Sequence, residues 1–437
     1  MILKILICGH TGDSNVYKQI LILKYTMGCV KSCRMCKSED LKQFLDLGFT
    51  PPADQFLRKE QLNEPEVHYP LQVMVCQNCG LIQLSYIVSP EVLFRHDYPY
   101  ESSITKTGHL HWDEFAKSVT KRFNLGSNDL VIDVGSNVGV LLGAFKANGT
   151  KILGVDPASN IVRIAEKNGI ETICEFFNID VAKKILKEKE HASVITATNV
   201  FAHIDDLDSI MKAIDILLKE KGVFIFEAPY FVNLVNSLQY DTIYHEHLSY
   251  LLIKPLIKFF NKFKMEIFDI EQRDIHGGSF RVFVSRIGNY PISPIIGELL
   301  KKEEEMNLSS MEVLGEFAKR VEKNRQDILW LLRSLKKEGK TIVGVSAPAK
   351  GMTLLNYCGI GKETLDFVTE KSNLKIGRVT PGKHISVFSD DELLKKRPDY
   401  ALLLAWNFAD EIIKNLEEYR KKGGKFIIPI PNPKIIE

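Results

Sequence analysis

Two Cys-x-x-Cys pairs near the start of the chain constrain its fold more than any other feature. Cys33-Arg-Met-Cys36 and Cys76-Gln-Asn-Cys79 lie about forty residues apart. Four thiolates in two such turns can surround one tetrahedral zinc ion, and backbone N–H groups of each turn can stabilise the charge on its sulfurs. Eight cysteines in 437 residues are too few for a disulfide scaffold. The sequence therefore predicts an N-terminal lobe, residues 27–95, built around Zn2+.

The same region contains a competing pattern. Cys29, Cys33 and Cys36 have the spacing of the three-cysteine loop that binds an iron–sulfur cluster in radical S-adenosylmethionine (SAM) enzymes. That interpretation would leave Cys76 and Cys79 without a role and would require a barrel of strand–helix units. The residues between the two pairs instead favour loops and short strands. A radical SAM enzyme is therefore kept only as an alternative.

A glycine turn farther along the chain predicts a cofactor site. The strand pattern Leu130–Val134 runs directly into a turn from Gly135 to Gly139, followed by a helical pattern. The spacing is not the dinucleotide fingerprint, which leaves NAD as a minor alternative. The turn is similar to the first motif of class I SAM methyltransferases, where glycine lets the methionine part of the cofactor pass close to the backbone and Asp133 can bind its ammonium group. The next strand ends in Asp156, where a carboxylate can accept both ribose hydroxyls.

The alternation of strands and helices after residue 100 predicts an α/β fold. The central part reads as a doubly wound parallel sheet with antiparallel closing strands at its end. A charged helical stretch follows, which we interpret as a solvated linker, and then a second α/β unit of Rossmann-like pattern. The predicted division is an extension of unassigned role (1–26), the zinc lobe (27–95), a methyltransferase domain (96–290), a helical connector (291–338) and a C-terminal Rossmann-like domain (339–437).

The densest cluster of reactive side chains is Tyr244-His-Glu-His247, with Tyr250 close behind. Such a concentration of titratable groups favours acid–base catalysis. If the segment were a strand, His245 and His247 would share one face and could bind a metal, although no third ligand is evident nearby. A polar surface loop is the remaining alternative, and the aromatic flanks argue for partial burial.

Together these motifs resemble the sugar C-methyltransferases of deoxysugar biosynthesis. The resemblance runs from about Cys33 to the end of the chain. It rests on the cysteine pairs, Asp133-Val-Gly-Ser-Asn137, Asn199-Val-Phe-Ala-His203, Tyr244-His-Glu-His247, His276-Gly-Gly-Ser279 and Ala349-Lys-Gly351. It implies a zinc lobe, a central SAM domain and a C-terminal Rossmann-like domain. It also implies methylation of carbon 3 in a nucleotide-linked 4-keto hexose.

The resemblance also implies catalytic roles. It places the catalytic base on His247, with Tyr244 and Glu246 beside it in the same motif. Tyr98 and His203 match the other active-site tyrosine and histidine. A base near neutral pKa would remove the proton next to a ketone, and hydrogen-bond donors would stabilise the enolate oxygen.

The expected cofactor site draws on three strand ends. Its residues are Asp133, Gly135, Asn137, Gly139, Asp156 and Asn199. The chain departs from the family at Val138, where an aspartate is usual, and this change removes one polar contact to the cofactor.

The C-terminal domain supplies weaker candidates for substrate binding. Lys350 and Gly351 fall at a predicted helix N-terminus, which suits the pyrophosphate of a nucleotide sugar. A surface lysine without a ligand is an equal alternative. Arg378 and His384, in a later loop, are weaker still.

Charge and hydropathy narrow the range of partners. The net charge of +2 provides no overall field for nucleic acid, and no apolar run is long enough to cross a membrane. We therefore expect a cytoplasmic enzyme, a monomer or a small homo-oligomer, whose partner is a nucleotide-linked sugar. A catalytically silent assembly protein, with zinc lobe and C-terminal domain binding partners, is the alternative from another functional class.

Overall fold

Three β-sheets organise the part of the chain that the computed structural model describes, which is residues 28–95, 97–102, 106–275 and 277–437. The sheets contain four, seven and six strands. The predicted extension 1–26 and His276 of the glycine-rich motif lie outside the described residues. The expected α/β class is confirmed, with a small sheet followed by two larger ones.

The strands and helices are numbered in chain order. The strands are β1 (Leu41–Thr50), β2 (Tyr69–Cys76), β3 (Ile82–Leu84), β4 (Leu130–Val134), β5 (Lys151–Val155), β6 (Thr172–Ile173), β7 (Ala192–Thr198), β8 (Leu218–Pro229), β9 (Ser249–Tyr250), β10 (Met265–Arg273), β11 (Ser279–Arg286), β12 (Ile342–Val345), β13 (Val368–Glu370), β14 (Val387–Ser389), β15 (Tyr400–Leu403), β16 (Lys425–Ile428) and β17 (Lys434–Ile436). The α-helices are α1 (Pro90–Phe94), α2 (Lys106–Arg122), α3 (Val140–Ala147), α4 (Ser159–Lys167), α5 (Ile179–Glu188), α6 (Leu207–Leu217), α7 (Phe231–Asn236), α8 (Ile253–Asn261), α9 (Ile295–Met306), α10 (Met311–Lys337), α11 (Ala349–Cys358), α12 (Asp391–Lys396), α13 (Ala409–Asn415) and α14 (Glu417–Lys421). Short 3-10 turns form at Lys59–Asn63, Phe201–His203, Tyr240–Thr242 and Trp406–Phe408.

The first sheet is antiparallel and has the order β1-β2-β3-β9. Its fourth strand comes from much later in the chain, because Ile82 pairs with Tyr250 and Gln83 pairs with Ser249. The backbone N–H of Leu84 also donates to the carbonyl of Leu248 at 3.0 Å. The zinc lobe is therefore built partly from the segment that follows the Tyr244–His247 motif.

The second sheet has the order β10-β11-β8-β7-β4-β5-β6. Strands β4 to β8 are parallel, while β11 is antiparallel to both β8 and β10. Alternate residues of β4 face opposite sides: Val131 packs with α2 and α3, while Leu130 and Ile132 belong to the core that includes α5 and α6. Helices on both faces explain why its strands are continuous apolar runs. The predicted doubly wound sheet with antiparallel closing strands is confirmed.

The third sheet has the order β14-β13-β12-β15-β16-β17 and is parallel except for β17. The chain leaves β12 toward β13 on one side and later returns to β15 on the other. The carboxyl ends of β12 and β15 therefore flank a topological switch point, where open α/β sheets form a crevice. This arrangement confirms the Rossmann-like C-terminal unit.

The connector between the two large sheets is not a solvated linker, so that expectation is wrong. Helix α10 buries one face and packs against β1 and α11. Its buried residues recur every three or four positions: Leu314, Phe317, Val321, Asn324, Ile328, Leu332 and Leu335. This spacing is that of one helix face, and the high charge of the other face had obscured it. Among the described residues, no helix has the length and apolarity needed to cross a membrane.

Candidate functional site

Four cysteine sulfurs gather between the two Cys-x-x-Cys turns. The ligand atoms of Cys33, Cys36, Cys76 and Cys79 all lie within 4.8 Å of one another. Two sulfur pairs, Cys33 with Cys79 and Cys36 with Cys76, are each 3.5 Å apart. Contact with the Cys79 thiol lowers the pKa of Cys33 to about 5, which favours a thiolate there. A closed set of four sulfur donors fits a structural zinc ion.

Neither alternative metal site is assembled. Cys29 is exposed and lies outside the group of four sulfurs, so the radical SAM triplet of Cys29, Cys33 and Cys36 is not favoured. Residues 244–246 form a turn rather than a strand, so the expected shared face of His245 and His247 does not exist. Within the described residues, the four cysteines are the only group of three or more metal-binding side chains found.

The glycine turn after β4 is as tight as its sequence indicates. Gly135 has φ +70°, and a Cβ placed on it would lie 2.3 Å from the Val200 side chain. Gly139, at φ +83°, begins α3. Asp133 is 2% exposed and accepts a hydrogen bond from the Thr196 hydroxyl at 2.6 Å. Burial raises the pKa of Asp133 to about 7, so this carboxyl group suits a ligand that brings its own positive charge.

Asp156 connects two strand ends at the same edge of the sheet. One carboxylate oxygen accepts from the backbone N–H of Asn137 and the other from that of Ala158, each at 2.9 Å. Burial raises the pKa of Asp156. The expected acidic residue therefore lies directly beside the glycine turn. Asn199, at the end of β7, donates its backbone N–H to the carbonyl of Glu227 at 2.7 Å.

The Asn137 side chain connects this edge to the segment that carries Tyr98. Its amide oxygen accepts from the backbone N–H of Ser102 at 2.9 Å, and its nitrogen donates to the carbonyl of Tyr100 at 3.1 Å. Val138, the residue that departs from the family pattern, is 1% exposed and packs with Ala158. An apolar side chain thus fills that position as part of the core.

His247 is held in one orientation by the backbone. The ring Nδ1 of His247 lies 2.7 Å from the carbonyl oxygen of Thr242. The backbone N–H of His247 donates to the carbonyl of Tyr244 at 2.9 Å. Because a carbonyl oxygen can only accept, Nδ1 must carry the hydrogen. The neutral ring therefore holds its lone pair on Nε2, the nitrogen that can take up a proton.

A chain of aromatic contacts connects Tyr244, His203 and Tyr98 to His247. The ring centroids of Tyr244 and His203 lie 4.0 and 5.0 Å from that of His247. Phe94 stacks on His203 and meets Tyr98 edge-on, each at 5.7 Å. Burial, together with His247, lowers the pKa of His203 well below its ordinary value. His203 is therefore neutral at physiological pH.

Glu246 lies at the junction of all three parts of the chain. It is 2% exposed, and burial together with the charge of Asp54 raises its pKa to about 8. Asp54 follows β1 and forms an ion pair at 3.0 Å with Lys375, which follows β13. Lys375 also donates to the carbonyl of Ala347 at 2.8 Å. No sequence signal points to Asp54 or Lys375, because they lie more than three hundred residues apart and belong to no motif.

Arg34 also carries no signal in the sequence. It lies inside the first Cys-x-x-Cys turn, yet it is 4% exposed. Its Nε donates to Asp205 at 3.1 Å and its Nη1 to the carbonyl of Leu84 at 3.3 Å. Since Asp205 follows His203 by two residues, the zinc-binding turn contacts the loop that carries His203.

Of the four substrate-binding candidates of the C-terminal domain, Arg378 and His384 contact other domains, whereas Lys350 and Gly351 lie beside the crevice of the third sheet. Lys350 donates to Asn407 at 2.9 Å in the crevice between β12 and β15, and a Cβ on Gly351 would lie 2.7 Å from Leu404. Arg378 forms a bidentate pair with Asp97 at 2.8 and 2.9 Å, and His384 lies 2.8 Å from Glu66. The structure does not bring the four into one cluster.

Three family models match successive parts of the chain. A zinc binding domain matches residues 33–94, a methyltransferase domain matches 109–267, and a C-methyltransferase C-terminal domain matches 274–431. A curated relative, C-methyltransferase NovU from Streptomyces niveus, is 36% identical over 408 residues, which is 93% of this chain and 97% of the relative.

Three solved structures are similar to part of the chain. A SAM-dependent methyltransferase from Clostridium acetobutylicum is 16% identical with a TM-score of 0.33, over 41% of this chain and 92% of that one. Magnesium protoporphyrin IX methyltransferase from Synechocystis, solved with bound SAM, is 12% identical with a TM-score of 0.32, over 41% and 79%. The PH0226 protein from Pyrococcus horikoshii is 14% identical with a TM-score of 0.35, over 43% and 96%.

Proposed function

Because this chain belongs to the C-methyltransferase family of three-part enzymes with a zinc-binding domain, we propose that it methylates the carbon next to the ketone of a nucleotide-linked keto sugar. It is a SAM-dependent C-methyltransferase, and its cofactors are SAM and Zn2+. Beyond this activity and these cofactors, the proposal specifies the class of substrate and the catalytic role of His247. The observation that carries it is the contact between Nδ1 of His247 and the Thr242 carbonyl.

The residues at the carboxyl ends of β4 and β5 suit SAM. Asp133 offers a buried carboxylate for the ammonium group, and Asp156 has acceptor capacity for the ribose hydroxyls. Gly135 keeps side-chain atoms away from the turn. We assign Asn137, Gly139 and Asn199 to the same site because they form or flank these turns. When bound, SAM supplies an electrophilic methyl group.

His247 is the proposed base for the substrate. Its Nε2 can accept the proton from the carbon next to the ketone, while Thr242 keeps the other nitrogen protonated. A histidine accepts protons effectively near neutral pH because its ordinary pKa is about 6.5. Removal of that proton would give an enolate whose carbon would be the nucleophile for the methyl group that SAM would supply, so the protein needs no nucleophile of its own.

Tyr98 and Tyr244 are the proposed donors to the enolate oxygen. Burial and the charge of Asp54 raise the pKa of both phenols well above the ordinary value, so both keep their protons at neutral pH. Phenol donors fixed in a water-poor site stabilise developing negative charge most strongly. His203 is neutral and partly buried beside His247, which suits a contact to a sugar hydroxyl. Because its pKa is raised, Glu246 is proposed to stay protonated near neutral pH and to support this cluster as an uncharged carboxyl group.

The nucleotide part of the substrate is proposed to extend toward the third sheet. The crevice beside Lys350 and Gly351 lies where ligands bind in open α/β sheets, and a lysine there can face a pyrophosphate. We propose that Arg378 and His384 contact the nucleotide part of the substrate farther from the crevice. We propose the domain boundaries 27–95, 96–290, 291–338 and 339–437 for these roles. We also propose that the enzyme is cytoplasmic and is a monomer or a small homo-oligomer.

A substrate panel tests the proposed function. The purified enzyme is incubated with SAM and a set of nucleotide-linked 4-keto sugars, with 4-hydroxy sugars as the matched control. We expect one sugar of the first set to gain the mass of one methylene unit and every 4-hydroxy sugar to stay unchanged, because only the ketone acidifies the neighbouring carbon. Transfer to the 4-hydroxy sugars would contradict the enolate mechanism. SAM binding without transfer to any keto sugar would contradict the substrate class.

A further inference from the structure

The orientation of His247 depends on a short backbone turn. The 3-10 turn Tyr240–Thr242 supplies the carbonyl that accepts the hydrogen of His247 Nδ1 at 2.7 Å. All three residues of this turn are buried. A shift of the turn would move the carbonyl and change which direction Nε2 faces.

This turn is held by the third domain through Asp241. The Asp241 carboxylate accepts the indole N–H of Trp406 at 2.6 Å, and Asp241 itself is fully buried. Trp406 begins the 3-10 turn that follows β15. Lys350, at the start of α11, is the cation whose charge offsets that of Asp241. A buried carboxylate is stable only with such partners, so Asp241 and the third domain constrain one another.

Tyr240, the residue before Asp241, is also held by a buried hydrogen bond to a residue outside the turn. The Tyr240 hydroxyl donates to the Asn324 side chain at 2.8 Å, and Asn324 in turn donates to the carbonyls of Pro429 and Pro431, each at 2.9 Å. Both Tyr240 and Asn324 are buried. Two successive side chains of the turn are thus attached to elements of the C-terminal region.

The other end of the loop is fixed by the zinc lobe. Ser249 and Tyr250 form the fourth strand of the first sheet, and Leu248 accepts a hydrogen bond from Leu84. The loop from Tyr240 to Tyr250 is therefore attached to a different domain on each side of His247. Its position thus depends on both neighbouring domains.

We infer that Asp241 is a positioning residue, through which the C-terminal domain sets the orientation of His247. The inference rests on the proposed function, because it takes His247 as the base. Trp406 acts from the other side of the same hydrogen bond. The third domain thereby contributes to proton transfer without touching the substrate carbon.

Trp406→Phe is the variant that tests this inference. It removes the indole N–H but keeps an aromatic ring, whereas Asp241→Ala would remove both the acceptor of the Trp406 N–H and the negative charge that faces Lys350. We expect kcat to fall about ten- to a hundredfold, as is typical for a small misplacement of a catalytic group. KM for the keto sugar and the Kd for SAM should change less than about twofold. Trp330→Phe is the matched control, because Trp330 is 71% exposed on α10.

A double-mutant cycle separates positioning from general damage. Adding Trp406→Phe to His247→Asn should cost no further activity, since no imidazole remains to be oriented. Equal losses in both backgrounds, or a wild-type kcat for the single variant, would overturn the inference. If His247→Asn alone retained the wild-type rate, the proposed base would be wrong instead. Tyr240→Phe provides a second variant with the same expected pattern should Trp406→Phe fail to fold.

Discussion

At the scale of single residues, a backbone carbonyl determines what His247 can do. The residue types of the motif Tyr244-His-Glu-His247 indicate acid–base chemistry, and the family resemblance assigns the base to His247. The contact with Thr242 could not be predicted from sequence. It depends on a turn that places the carbonyl of Thr242, five residues earlier in the chain, beside Nδ1 of His247. Side-chain identity thus indicates the chemistry, while the nitrogen of His247 that carries the hydrogen follows only from the folded backbone.

Glu246 gives a prediction about stability and pH. Its pKa is raised from 4.5 to about 8, so the folded state holds a proton that the unfolded state releases between those values. Stability contributed by the protonated carboxyl is therefore present below about pH 4.5 and is lost as the pH rises to about 8. We expect Glu246→Gln, which mimics the neutral form, to remove this loss. Thermal unfolding from pH 5 to pH 8 would show a shallower decrease in Tm for the variant than for the wild type.

An exposed glutamate provides the control for that measurement. Glu188, at the end of α5, is solvent-exposed, so Glu188→Gln should keep the wild-type pH dependence. If Glu246→Gln and the wild type showed the same slope, Glu246 would be ionised at neutral pH and could not be a neutral support of the site.

At the scale of helices and strands, local sequence patterns are sufficient for the central strands of the two large sheets but not for all of their edge strands or for the elements between the sheets. The strand β4, its glycine turn and Asp156 could be predicted because each follows a local rule of spacing. The two-residue strand β9 has no such signature, and it exists only because β3 offers it an edge. The expectation for helix α10 was wrong because its charged residues are numerous, although its apolar residues share one face.

The zinc lobe allows a direct prediction about metal content. We expect one zinc per chain, and we expect Cys76→Ser to lose it because Cys76 ends β2 and provides one of four sulfurs. Loss of a structural metal should lower Tm by at least about 5 °C. Elemental analysis and thermal unfolding would measure both effects. Since β9 belongs to the same sheet, the rate of methyl transfer should fall as well.

Cys29→Ser is the matched control for the zinc prediction. Cys29 lies in the same region but outside the group of four sulfurs, so this variant should keep its zinc and its Tm. Stoichiometric iron and sulfide in the wild type, or loss of metal in Cys29→Ser, would favour the radical SAM alternative.

At the scale of the whole molecule, all three parts of the chain meet around one loop. The zinc lobe pairs with Ser249 and Tyr250, and the C-terminal domain binds Asp241. The Asp54–Lys375 pair spans 321 positions of sequence. One chain offers no pattern from which such a long-range pair can be predicted, since neither residue is part of a local motif. The fold class is therefore accessible from sequence, whereas the contacts between the domains are not.

The central claim is that His247 removes the proton from the carbon next to the ketone. It is tested most directly by incubating enzyme, nucleotide-linked 4-keto sugar and S-adenosylhomocysteine in heavy water, with deuterium at carbon 3 followed by mass spectrometry. We predict exchange by the wild type and by His191→Asn, an exposed control at the opposite end of β7. His247→Asn should exchange at least about a hundredfold more slowly, while still binding SAM by calorimetry. Exchange by His247→Asn at the wild-type rate would contradict the account.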